Sequence, residues 1–186
     1  MDDNSAHQNS RLKKIIFLSL FVLLLSLTFN AFSLVIIYIH QSFNHKGYGE
    51  ANLTANTIAS VVFFLFAPLI LRKSSLTSVQ WLTICAICYL INVLVPALLS
   101  SNETRSSKSE VPPPTVFRTI LEILANIIGG SASCILWVLY GLYMVEFCCG
   151  VDPQKKGYYF GVSTAIINLR SILGPILTIF GLGLGN

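Results

Sequence analysis

Residues 158–184 read YYFGVSTAIINLRSILGPILTIFGLGL. The run is apolar and long enough to cross a bilayer, whose hydrocarbon core of about 30 Å needs roughly 20 residues of helix. Yet Arg170 stands near its middle. From Tyr158 to Arg170 the chain advances 12 positions, or about 18 Å at ~1.5 Å per residue, which carries the guanidinium to the bilayer centre. A lone arginine at that depth costs at least about 2.5–3.5 kcal/mol on insertion scales. The run therefore demands compensation for it. A water-filled cavity would supply this, as would a carbonyl-rich kink at Gly174-Pro175, where proline removes a helix hydrogen bond. A carboxylate of this chain would not, because none lies at a matching depth.

Four further apolar runs lie upstream, at 15–39, 53–71, 79–99 and 124–146. Over all 186 residues, 54% are hydrophobic and only 11% charged, far from the balance of a soluble domain. The fold class expected is all-α: a polytopic helical membrane protein of about five transmembrane helices, with a tail at 1–14 and a bundle over 15–186. The first run is too long for the 7–15-residue core of a secretory signal and reads as a retained span. The net charge of +4 lies between apolar runs rather than along one face, so a nucleic-acid partner is not expected. The partner is the lipid bilayer.

Placing the N-terminus in the cytoplasm puts Arg11, Lys13, Lys14, Arg72, Lys73, Lys155 and Lys156 inside and leaves Lys46, Arg105, Lys108 and Arg118 outside. That is the distribution the positive-inside rule favours. It also exposes the sequon at Asn102 to glycosylation on the lumenal or extracellular side, with a second candidate at Asn52 against the membrane. The membrane is the plasma membrane or an endomembrane, since no sorting signal is legible.

Catalytic, cofactor and metal sites are all expected to be absent. His7, His40 and His45 are confined to the first tail and loop edge, and no phosphate loop or nucleophile motif occurs. Cys85 and Cys88 sit within an apolar run without further ligands and read as core packing. Cys148 and Cys149 follow the fourth run, where juxtamembrane thiols are candidates for palmitoylation. Asparagines interrupt four of the runs, at Asn30, Asn92, Asn126 and Asn168. Each should turn toward another helix, in hydrogen bonds worth around 0.6 kcal/mol. With Arg170, the residues Asn168, Asn30 and Asn92 form the candidate intramembrane polar site.

On the last run, Gly157, Gly161, Thr164, Asn168, Ser171 and Pro175 share a narrow helical stripe expected to pack closely on other helices. Tyr158, Val162, Ala165, Leu169, Ile172, Ile176 and Phe180 lie opposite, suited to lipid. Arg170 falls at the rim between them, near Ser163 and Gly174. Glu122, one turn beyond Arg118, reads as half of an ordinary interfacial ion pair of little energetic weight.

Several motifs follow one another in an order that resembles a known family. They are Phe29-Asn30, Ser42-Phe43-Asn44 with Gly47 and Gly49, and Phe66-Ala67-Pro68 before Arg72-Lys73. Gly129-Gly130 follows, with ILWVLYGLYM from Ile135 to Met144, then Gly157-Tyr158-Tyr159-Phe160-Gly161 with Gly174. Together they resemble the uncoordinated-93-like proteins of the major facilitator superfamily, over about Leu18 to Gly174. Tyr140, Leu142 and Arg170 depart from the family pattern, and the Asp-Arg-x-Gly loop of classical members is absent after the second run. The resemblance implies the N-terminal half of a major facilitator bundle, incomplete at the C-terminus, with the missing helices of the same fold as its partners. It also implies a non-enzymatic accessory or regulatory protein that associates with a channel or receptor membrane protein. The alternatives are a solute or ion transporter with Arg170 in a midplane site, and a truncated fragment without function.

Overall fold

The computed structural model describes residues 3–42, 47–101 and 115–183, and side chains within 9–28, 47–99 and 115–180. Among these residues every regular element is helical: α1 (Asp3–Ser42), α2 (Tyr48–Lys73), α3 (Ser78–Ser101), α4 (Val116–Phe147), α5 (Pro153–Asn168) and α6 (Arg170–Gly183). The fold is that of an all-α polytopic membrane protein. Four segments are long and apolar enough to cross a membrane: Tyr48–Lys73, Ser78–Leu99, Val116–Phe147, and Pro153–Phe180, which runs through α5 and α6. The first apolar run lies inside α1, whose 40 residues extend about 60 Å at ~1.5 Å per residue. Its helix begins at Asp3, so the tail expected at 1–14 continues the span.

Local chemistry sets the helix ends. Thr77 and Gln80 form a reciprocal cap: the Thr77 N–H donates to Gln80 Oε1 at 2.8 Å, and the Gln80 N–H to Thr77 Oγ1 at 3.3 Å. This opens α3. Thr115 caps α4 by accepting from the Arg118 N–H, and Asp152 caps α5 by accepting from the Gln154 N–H, with Pro153 in the first turn. Gly150, at φ 70°, makes the tight turn between α4 and α5 that a side chain would strain. Pro68 and Pro96 lie inside α2 and α3 without ending them.

α4 is the central helix. Half of its apolar window is buried, against 17–22% in the other three spans. α2 and α3 pack on it most extensively, while α1 packs along α5 and α6. The outside of the bundle is a belt of bare hydrocarbon: Phe17 is 75% exposed, and Phe64, Leu65 and Ile179 are 61%, 70% and 70% exposed. In contrast, the buried face of α2 consists of Gly49, Asn52, Asn56, Ala59 and Ala67. Large apolar groups outward and small or polar groups inward is the arrangement lipid selects, because only the interior can satisfy a polar group.

Candidate functional site

Two of the polar regions of the interior carry charge. The first is the seam between α2 and α4. Asn52 Nδ2 donates to Glu122 Oε2 at 3.2 Å, Asn56 Nδ2 to the Asn126 carbonyl at 2.9 Å, and Ser60 Oγ to the Gly130 carbonyl at 2.9 Å. Each pair is 70 positions apart, and a constant offset with increasing number requires the two helices to run parallel. The steps of four on both helices make the seam a ridge-to-ridge contact, and glycine allows its closeness. A Cβ on Gly130 would stand 2.2 Å from the Asn56 backbone oxygen, and one on Gly129 would stand 2.6 Å from Asn92 Cγ.

At the head of this seam Arg118 Nε donates to Glu122 Oε1 at 2.7 Å. The ion pair expected one turn apart does form, and protein encloses it: Glu122 is 0% and Arg118 6% exposed. The start of α4 at Val116, about two turns before the run expected at 124–146, brings both groups into the packed helix. Asn126 Nδ2 further donates to the Glu122 carbonyl at 2.9 Å.

The second place is a cavity of about 420 Å³ between α1, α2, α3, α4 and α6. Arg170 reaches its wall with the guanidinium carbon 4.9 Å from the Trp137 ring centroid. Tyr89, hydrogen-bonded to Ser133, forms another side. Ser26, Asn56, Ser60 and Ser171 add polar lining. Most of these donors are already committed to backbone carbonyls: Ser26 to Leu23, Asn56 to Asn126, and Ser60 to Asn56 and Gly130. Arg170 is thus the cavity's strong uncommitted donor, and no carboxylate pairs with it among the described residues.

Arg170 also marks the break in the last span. The Leu169 N–H donates to Ile166 at 3.2 Å, and the Ile172 N–H back to Leu169 at 3.1 Å, so one tight turn separates α5 from α6. The break was expected at Gly174-Pro175, but Pro175 lies inside α6. The interruption comes more than a turn upstream, at Leu169, whose backbone stays right-handed helical (φ −55°, ψ −24°), so the span runs on from Pro153 to Phe180.

The packed face of this span differs from the sequence expectation. Tyr159, Ser163, Ile167, Gly174 and Thr178 are buried, whereas Gly157, Gly161, Thr164, Asn168, Ser171 and Pro175 are exposed. The rows are one helical step apart. Tyr159 and Ser163 win because they complete a hydroxyl cluster: Ser163 Oγ bonds to Ser19 Oγ of α1 and to the Tyr140 hydroxyl of α4. On the expected lipid side, Tyr158, Leu169, Ile172, Ile176 and Phe180 are exposed, between 41% and 65%.

The remaining sequence candidates scatter. Asn168, at the end of α5, is exposed and away from the cavity. Asn92 is 1% exposed and faces Gly129, with no hydrogen-bond partner for its amide among the described residues. Asn30 lies in α1 outside the described side chains, as do His7 and His40, and Asn102 and His45 lie outside the described residues. Asn52 is not available to a glycan, being 2% exposed and bonded to Glu122. Of the two juxtamembrane thiols, Cys148 is buried against Met144 and Tyr159, and that burial pushes its pKa up against the opposing pull of Lys156 and Arg11. Cys149 is exposed. Cys85 sits in the apolar core, with Cys88 packed beside it, and no metal-holding cluster occurs among the described residues.

Sequence reading missed Trp137, Tyr89, Ser133 and Ser26 as partners of Arg170. Ser133 and Trp137 carry an i, i+4 spacing that shows a shared face, but nothing in the chain tells which span that face meets. No family model, curated protein or solved structure matches this chain.

Proposed function

We propose that this is a non-enzymatic membrane protein of uncoordinated-93-like, major facilitator type that binds a small organic anion in the middle of the bilayer, as a transporter does. The supporting observation is Arg170 in the polar cavity, stacked on Trp137 and unpaired with any carboxylate among the described residues. Magnitudes call for a further partner. A cation on an aromatic ring contributes about 0.5–2 kcal/mol, less than the ~2.5–3.5 kcal/mol or more that a charge at mid-bilayer costs. Water or an anion must supply the balance. Transporters likewise place their anion sites near the bilayer midplane. Under this reading the N-terminus is cytoplasmic, the membrane is the plasma membrane or an endomembrane, and Asn102 carries the glycan.

Trp137 and Trp81 are the two tryptophans of the chain, which gives a direct test. In Trp81→Phe protein, benzoate should change the remaining tryptophan emission saturably and neutral benzamide should not. Arg170→Gln should abolish the benzoate response, and an equal response in that variant removes Arg170 from the site.

A second reading, an accessory protein bound to a channel or receptor, is favoured by the exposed Gly157, Gly161, Thr164 and Asn168 row. Small residues of this kind let another helix approach closely. Gly161→Leu should then disrupt co-purification with such a partner while leaving the benzoate response intact.

A further inference from the structure

One end of the bundle gathers most of the chain's cations. The Arg11 guanidinium donates to the Cys149 carbonyl at 3.0 Å, which ties the start of α1 to the turn between α4 and α5. The α2–α3 turn, following Arg72 and Lys73, stands at the same end, since the start of α3 and the end of α4 share a cavity with Lys13 and Lys14. That cavity is a groove of about 770 Å³ between α1, α3 and α4. Its walls are hydrocarbon and aromatic: Phe17 and Phe21 from α1, Leu82 from α3, and the stacked rings of Tyr143 and Phe147 from α4, 5.9 Å apart. Lys13 and Lys14 supply charge at its basic end, and neither is paired with a carboxylate among the described residues.

We infer that this groove binds one anionic phospholipid of the leaflet that faces the basic end, with an acyl chain along the aromatic wall and the phosphate between Lys13 and Lys14. Its volume lies in the roughly 300–1,000 Å³ range of ligand sites. The apolar length excludes a soluble anion as the main occupant. The ammonium pair gives this groove two cations, where the smaller groove of about 430 Å³ between α2, α3 and α4 has Arg72 alone. By the positive-inside rule the basic end faces the cytoplasm, where anionic lipid is concentrated. Basic residues beside an interhelical groove on that side are the usual receptors for such headgroups. Each lysine near an anionic surface is worth roughly 5-fold in affinity, so the pair gives on the order of 30-fold preference over a zwitterionic lipid.

The test places a tryptophan reporter at the groove, Phe17→Trp, in the full chain reconstituted into nanodiscs, with the parent emission subtracted. Brominated phosphatidylserine and brominated phosphatidylcholine are titrated as quenchers. Phosphatidylserine should quench at roughly 30-fold lower mole fraction. Lys13→Gln with Lys14→Gln should collapse that preference, while Arg72→Gln with Lys73→Gln, an equal loss of charge at the same end, should preserve it. Equal quenching by the two lipids overturns the inference, as does equal loss of preference in the control pair, which would mean general surface charge. Failure of both lipids to quench overturns it too, because another protein segment would then occupy the groove.

Discussion

The α2–α4 seam and the Arg170 cavity lie on either side of Asn56 and Ser60, and they treat charge in opposite ways. In the seam Glu122 is 0% exposed and receives Arg118, Asn52 and, at its carbonyl, Asn126. In the cavity Arg170 meets an aromatic face and hydroxyl groups already donating elsewhere. The first arrangement pairs its two charges with each other, although Asn52 Oδ1 has no partner among the described residues, and so reads as structure. The second leaves the Arg170 guanidinium beside open volume, the basis of the ligand proposed there. Within a membrane, depth and polarity alone do not separate these roles. The state of the partners does.

The contrast can be broken most forcefully at Glu122. Glu122→Ala should lower stability by about 3–5 kcal/mol in denaturant titrations, because it strands a buried guanidinium. Replacing Arg118 and Glu122 together with methionine should recover most of that loss, and a double variant as unstable as the single one would show that packing rather than charge is at stake. The next effect belongs to glycine. Gly130→Ala, whose new Cβ meets backbone at 2.2 Å, should cost about 1–3 kcal/mol as overpacking does. Gly141→Ala, with nothing within 4 Å, should cost almost nothing, and equal melting temperatures would mean that the seam is loose.

The smallest effect sharpens the comparison most. Arg170→Met should leave stability unchanged or raise it by about 1 kcal/mol, since a charge at mid-bilayer costs more than one aromatic contact returns. The benzoate response should vanish in the same protein. A stability loss above about 1 kcal/mol would move Arg170 into the structural class with Arg118.

Much of the architecture was legible in the chain. Four of the five apolar runs fall in segments long and apolar enough to cross a membrane, because lipid imposes a length on any helix that crosses it. The position of Arg170 within its run places it mid-span, and Cys85 lies in the apolar core with Cys88 packed against it, as the apolar run implied. The small-residue stripe shows where such reading stops. Gly157, Gly161 and Thr164 looked like the packing face by pattern, yet the neighbouring row of Tyr159, Ser163 and Ile167 is buried. Helical periodicity defines rows but does not rank two adjacent ones. The choice depended on Ser19 and Tyr140, which lie 144 and 23 positions from Ser163.

The sequence by itself determined that this is a helical chain suited to lipid, and that an arginine stands deep in its last span. Both follow from local quantities: hydropathy, length and rise per residue. The tertiary structure alone decided that Glu122 is enclosed by protein, and that Asn52 bonds across a seam. It also decided that Arg170 rests on Trp137 beside open volume. Each of these depends on which helix faces which, and that is set by the close approach Gly130 permits and the hydrogen bonds formed across it.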